Sequence, residues 1–194
     1  MKDKAIRKYY KGAATGEVDR TVKRFLKGKP EVVYGARSVN QRLPDYLEKF
    51  TEDWDVYSHT AKESAKELEK LLDEQFGGDY FEVRPAKHEG TFKVVSKVTM
   101  RGVADITIPE RTISYQTIDG INYATLEEQV VAIERALSAP EFRFRWDRDK
   151  EALQRIELFE EYHKPKRRPA VKVMPRRKGL HKRSRTDALK GLRT

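Results

Sequence analysis

Apolar residues along the chain alternate between helical and strand spacing, and the alternation sets out the elements one by one. From Glu17 to Lys27, Val18, Val22, Phe25 and Leu26 share one helical face, and Gly28 ends the run. After Pro30, Glu31-Val32-Val33-Tyr34 reads as a short buried strand, and Ala36 to Leu43 as a short helix closed by Pro44. Asp45 to Glu52 is a polar connector, and Trp54-Asp55-Val56-Tyr57 is the next strand. Ser58 or Thr60 can cap a helix that runs to Phe76, with Ala61, Ala65, Leu68, Leu72 and Phe76 at helical spacing before Gly77-Gly78. Three strands follow over Tyr80–Pro85, Thr91–Val98 and Gly102–Ile108, the first two joined at Glu89-Gly90. Thr125 with Glu128 forms a capping box for a helix to about Leu137, ahead of Pro140. Phe142-Arg143-Phe144-Arg145-Trp146 is an aromatic and basic segment. Its rings are expected to pack and Arg143 and Arg145 to lie on the alternate face. Asp147 caps a last helix to about Tyr162. The first 16 residues give no firm periodicity, and no internal repeat is visible. The order predicts an α/β (α+β) body, a mixed sheet flanked by helices.

Composition narrows the setting. No apolar run approaches the roughly 18 residues of a membrane span, and Met1-Lys2-Asp3-Lys4 leads into no secretory h-region, so a cytoplasmic protein without a membrane partner is expected. Cysteine is absent, which excludes disulfides, thiolate zinc sites and cysteine nucleophiles, and the four histidines lack metal-ligand spacing. The net charge of +10 hides an asymmetry. Residues 164–194 hold thirteen Lys/Arg and one acid, a net of +12, which leaves −2 on the first 163. Such a tail attracts polyanions and has no apolar face, so it is expected to be disordered when unbound. The chain thus divides into an extension and helix (1–29), a core (30–124), C-terminal helices (125–163) and a basic tail (164–194).

The carboxylates carry the candidate chemistry. Asp53 and Asp55 are two apart at the start of a strand and point to one face, where their mutual repulsion calls for a cation or protons. Asp105 lies inside the otherwise apolar or β-branched run Val103-Ala104-Asp105-Ile106-Thr107-Ile108, where an unpaired carboxylate is costly. If the two strands are neighbours, the three acids converge, and hard oxygen ligands of this kind suit Mg²⁺. Upstream, Gly35 allows close backbone approach, and the helix start at Ala36, Arg37 and Ser38 offers N–H groups, a charge and a hydroxyl to phosphate. The bland alternatives are a turn role for Asp53, a solvent-facing edge position for Asp105, an ordinary helix entry at Gly35 and a solvated charge at Arg37.

Taken together, Tyr34-Gly35-Ala36-Arg37-Ser38-Val39-Asn40, Leu43-Pro44, Asp53-Trp54-Asp55-Val56-Tyr57-Ser58 and Asp105 resemble the DNA polymerase β-like nucleotidyltransferase superfamily. The wording is most similar to viral poly(A) polymerase catalytic subunits and to abortive-infection type nucleotidyltransferases. Lys87-His88-Glu89-Gly90-Thr91 and Ile118-Asp119-Gly120-Ile121-Asn122-Tyr123 belong to the same resemblance, which spans roughly residues 30–160. The turn carries Gly-Ala where the superfamily usually has Gly-Ser or Gly-Gly, and the distance from Gly35 to Asp53 is longer than in minimal members.

The resemblance implies transfer of NMP from an NTP with two Mg²⁺ or Mn²⁺ ions. Asp53 and Asp55 would ligate both, while Asp105 would hold the ion that activates the acceptor hydroxyl and help take its proton. Gly35, Ala36, Arg37 and Ser38 would contact the β- and γ-phosphates, with Lys87 as a further phosphate contact. The expected partner is nucleic acid, RNA ahead of DNA. It would be bound at Arg143 and Arg145 and along the tail at Lys166, Arg167, Arg168, Arg176, Arg177, Lys178, Lys182, Arg183 and Arg185. The setting would be cytoplasmic, host cytoplasm or virion if the source is viral. The main alternative is a degenerate nucleotidyltransferase fold acting as a nucleic-acid-binding or virion component. A third is a toxin–antitoxin type enzyme that modifies tRNA or a partner protein.

Overall fold

The computed structural model of the chain describes residues 13–162 and 171–174. Its helices are α1 (Ala13–Leu26), α2 (Gly35–Asn40), α3 (Ala61–Phe76), α4 (Leu126–Ser138) and α5 (Trp146–Tyr162). The strands are β1 (Val32–Tyr34), β2 (Trp54–Tyr57), β3 (Phe81–Pro85), β4 (Thr91–Ser96), β5 (Gly102–Thr107), β6 (Ile113–Ile118), β7 (Ile121–Ala124) and β8 (Lys172–Met174). They form one mixed sheet in the order β3-β4-β5-β2-β1-β7-β6-β8, as the sequence pattern predicts for class.

The face built by Val33, Trp54, Val56, Ala104 and Ile106 carries the main core. Val22, Phe25 and Leu26 of α1 and Ala61, Ala65, Leu68 and Leu72 of α3 cover it. These are the helical stripes read from the sequence, now closed on the sheet. A second cluster joins Val39 of α2 and Leu43 just beyond it with Leu126 and Ile133 of α4 and Ile156 of α5. It stands where β1 and β7 end and α2 and α4 begin. Thr125 caps α4 as expected, its hydroxyl accepting from the Glu128 N–H at 3.3 Å, but the box does not close: the Thr125 N–H donates to the Ser114 carbonyl, and Glu128 Oε1 accepts from the Ser114 N–H at 3.1 Å. At α3, Thr60 holds the cap position without capping through its side chain, and Ser58 instead accepts from the Thr60 N–H at 3.1 Å.

Two parts of the sequence reading need correction. The hairpin β6–β7 was not expected, although Asp119-Gly120 takes positive φ at both positions (51° and 81°), the backbone of a tight two-residue turn. The tail is also not structureless throughout. Lys172–Met174 pairs antiparallel with β6, and Met174 is buried beside Val32, Ile113 and Ala124. The alternation Val171-Lys172-Val173-Met174 lets the open β6 edge satisfy its backbone while one apolar side chain is buried. Lys166, Arg167, Arg168, Arg176, Arg177, Lys178, Lys182, Arg183 and Arg185 lie outside the described residues.

Candidate active site

Strand register creates the site. Tyr34 of β1 stands opposite Asp55 of β2, Asp55 opposite Asp105 of β5, and Asp105 opposite Lys93 of β4. Four polar side chains thus form one rank across four adjacent strands, each step about 4.8 Å. Along β2 the core-facing Trp54 and Val56 are buried while Asp55 and Tyr57 are half-buried, so alternation turns the acid away from the core. Asp53 precedes the strand by one residue and lies close enough to Asp55 to act on its charge.

Like carboxylates directly across adjacent strands repel. Asp105 meets a cation, Lys93 Nζ at 2.7 Å from its Oδ2. Asp53 Oδ1 accepts from the Thr51 hydroxyl at 3.2 Å. Asp55 has no hydrogen bond or ion pair among the described residues. Burial, then the charges of Asp53 and Asp105, raise its pKa from 3.8 to about 7, with Arg148 and Arg145 pulling in the opposite direction. Beside it, Tyr34 and Tyr57 stack with ring centroids 3.9 Å apart, and the Tyr34 hydroxyl meets the Thr107 hydroxyl at 3.2 Å. Burial, with Asp55 adding to it, pushes Tyr57 up to about 12, so this pair forms a neutral aromatic floor next to the acids.

Gly35 closes the site from above. It has a φ of +66°, and a Cβ there would collide with Asp55 Oδ2 and lie 3.1 Å from Asp55 Cγ. Only glycine lets the turn and the carboxylate share this space. The Gly35 N–H donates to Gln129 Oε1 at 3.0 Å, so a buried side chain of α4 fixes the turn.

The remaining sequence candidates divide. Arg37 points into the protein. Its Nη1 donates to Asp19 at 2.7 Å, its Nε to the Asp53 carbonyl at 2.7 Å, and its guanidinium lies 4.1 Å from the Trp54 ring centroid. Asp19 also accepts from Trp54 Nε1 at 3.2 Å. Arg37 is therefore a clamp on the Asp53 loop, and the expected phosphate contact does not fit its orientation. Ser38 is likewise misplaced for phosphate, because it is fully buried with its hydroxyl donated to the Ala124 carbonyl at 2.7 Å. In a helix of six residues, one turn past Gly35 already faces the core. Ala36 stays half-buried behind Gly35, and Lys87 is exposed in the turn before β4.

The aromatic and basic segment is a 3₁₀ turn (Pro140–Arg145) and not extended, so strand alternation does not apply to it. Phe142 contacts the His88 ring at 6.4 Å, and Phe144 is 81% exposed, contrary to the packing expected of it. Arg145 is held by buried Asp149 through two bonds, 2.7 and 3.0 Å, and Arg143 lies 6.0 Å from the Trp146 ring centroid. Sequence reasoning missed Arg148, which is exposed, has no hydrogen bond or ion pair among the described residues, and lies within electrostatic reach of Asp55. Nothing in its local sequence distinguishes it from any other helical arginine.

By chemistry, though not yet by spacing, the donor set suits a hard divalent ion. It consists of three carboxylates, of which Asp55 has no hydrogen bond or ion pair among the described residues, under a glycine turn that leaves no room for a side chain. Among the described residues no three His, Cys, Asp or Glu side chains are gathered tightly enough to hold an ion together. The Lys93 and Thr51 contacts, which engage Asp105 and Asp53, accompany that spacing.

A glycine turn over paired aspartates on a helix-covered mixed sheet defines a nucleotidyltransferase fold. A family model for the poly(A) polymerase catalytic subunit matches residues 20–142, and the chain belongs to that family. A solved structure, described as the Megavirus polyadenylate synthase, is similar at 23% identity with a TM-score of 0.61. The likeness covers 80% of this chain and 33% of that one, so this chain spans about a third of the length of the viral protein. No curated protein sequence matches. Among the described residues, no helix is long and apolar enough to cross a membrane.

Proposed function

We propose that the chain is a metal-dependent nucleotidyltransferase that moves NMP from an NTP, ATP first among them, to a nucleic-acid acceptor, with RNA ahead of DNA. The observation that carries this reading is the rank that sets Asp55 directly across from Asp105 beneath Gly35. Asp53, Asp55 and Asp105 would hold Mg²⁺ or Mn²⁺. Bound there, the metal supplies Lewis acidity, which lowers the pKa of an acceptor hydroxyl and neutralises the leaving pyrophosphate. Asp105 accepts the proton of that hydroxyl at its carboxylate oxygen. Arg148 and Arg145 hold the triphosphate from the α5 side, with Lys87 assisting from the β3–β4 turn. Asp149 fixes Arg145 in place for this task. Exposed Phe144 and Arg143 extend the basic surface on which an acceptor strand would lie.

The test is incubation with labelled NTPs, Mg²⁺ and single-stranded RNA. Incorporation that is lost in Asp105→Asn, with folding retained, supports the reading. A second reading draws on the Lys93–Asp105 pair and the unassembled acids, namely a degenerate fold that binds nucleic acid without transfer. RNA binding by the folded protein with neither NTP nor metal affinity would favour it.

Arg148 gives a finer prediction. Arg148→Ala should raise the KM for NTP about tenfold while kcat changes little, as for a charge-assisted phosphate contact made equally in ground and transition states. Steady-state kinetics checks it, and an unchanged KM would remove Arg148 from the triphosphate site.

A further inference from the structure

Lys93 is the one charged member of the cross-strand rank for which nucleotidyl transfer, as set out above, has no use. The β4–β5 register places it opposite Asp105, and its ammonium sits 2.7 Å from Asp105 Oδ2. The pair is part-exposed, 44% for the lysine and 21% for the aspartate, and such pairs add little to stability. Its weight falls on the site instead. A divalent ion shared by Asp55 and Asp105 draws on the same carboxylate that Lys93 engages, and it would enter against a positive charge one strand away. Because Lys93 is near solvent, its side chain can leave without a burial cost. A triphosphate offers it a new anionic partner when it leaves, whereas a free ion offers only repulsion.

From this geometry, and resting on the nucleotidyltransferase reading, we infer that Lys93 is a positioning residue that competes with the divalent ion for Asp105. The ion site then assembles on a metal–triphosphate complex in preference to the free metal. Metal bound without substrate is thereby kept low, and Lys93 moves from carboxylate to phosphate as the substrate arrives.

The experiment is a Mn²⁺ titration of the full chain followed by electron paramagnetic resonance. It uses the unchanged protein and the variants Lys93→Met, Lys93→Gln, Lys93→Arg, Asp55→Asn and Asp105→Asn, with thermal unfolding as the folding control. Without any phosphate, Lys93→Met and Lys93→Gln should bind Mn²⁺ about fivefold tighter, the factor carried by a part-exposed ion pair at its upper range. Lys93→Arg, which keeps the charge, should match the unchanged protein. Adding inorganic tripolyphosphate should tighten Mn²⁺ binding more in the unchanged protein than in Lys93→Met. Equal or weaker Mn²⁺ binding in both neutral variants, while Asp55→Asn loses it, overturns the competition and leaves the metal site standing. Mn²⁺ binding that is undetectable in all the proteins, or unaffected by Asp55→Asn and Asp105→Asn, overturns the metal reading and this inference with it.

Discussion

Asp55→Asn is expected to abolish nucleotidyl transfer and, in the same protein, to raise stability above neutral pH when divalent ions are chelated. The two effects share one cause. Asp55 is recessed, unpartnered among the described residues and faced by two other acids, and its pKa rises from 3.8 to about 7. The unfolded chain releases this proton near 3.8, while the folded chain keeps it to about 7. Between these values the folded state binds the extra proton, so stability declines as pH rises through the window and stays at the lower level above it. A shift of this size corresponds to a few kcal/mol, on the order of 4 at most. Asparagine keeps the shape and cannot ionise. In EDTA, urea unfolding should therefore show Asp55→Asn more stable at pH 8 by roughly 1–4 kcal/mol, with the two proteins converging below about pH 4. Mg²⁺ should stabilise the unchanged protein and leave the variant unaffected, because only a native-state site is linked to folding. Transfer should fall on the order of 10³-fold or more, since the variant loses a ligand oxygen charge needed in the transition state. Parallel pH profiles in EDTA would show that Asp55 is not held under this electrostatic load.

The candidate site was legible in the sequence wherever it depends on local rules. Alternation in Trp54–Tyr57 separates Asp55 from the core, and an acid in the run around Asp105 stands out against its neighbours. The helical stripes of α1 and α3 were readable because burial on a sheet needs one apolar face. What escaped was set by tertiary register or by a signal passed over. That β2 and β5 are parallel neighbours, with Asp55 facing Asp105, could be stated from the sequence only as a condition, because it is a property of the assembled sheet. The same holds for Lys93 opposite Asp105, which depends on the β4–β5 register, and for the Gln129 contact to Gly35, which links residues far apart in sequence. The β6–β7 hairpin was a different failure, since Asp119-Gly120 between two short runs is a strong turn signal. Arg37 and Ser38 misled because a glycine followed by a helix start suggests a phosphate cradle. In a six-residue helix packed on both sides, those side chains serve the interior.

Gly35→Ala should be the most damaging added methyl among the described glycines. Two independent penalties meet at this position. The first is conformational, because the φ of +66° lies in the left-handed region, where a non-glycine residue costs about 1–3 kcal/mol. The second is steric. The added Cβ would meet the Asp55 carboxylate at Oδ2, with Cγ 3.1 Å away and Cβ 3.3 Å away. Asp55 cannot retreat towards the core, because its strand is pinned by buried Trp54 and Val56, nor towards Asp105, where like charge waits. The turn cannot move freely either, since Gln129 holds the Gly35 N–H from buried α4. The strain must therefore appear in the carboxylate, turned away from the place where Asp55 and Asp105 face each other. Thermal unfolding should show a loss of about 1–3 kcal/mol or more. Metal affinity and transfer should fall together, while RNA affinity, which depends on the basic surface, should hold. At Gly77, also a positive-φ turn (70°) but with nothing within 4 Å of the added Cβ, the same substitution carries the backbone penalty alone. Gly77→Ala should therefore lose stability without losing metal affinity, and equal metal binding by Gly35→Ala and Gly77→Ala would show that Gly35 is a turn residue and nothing more.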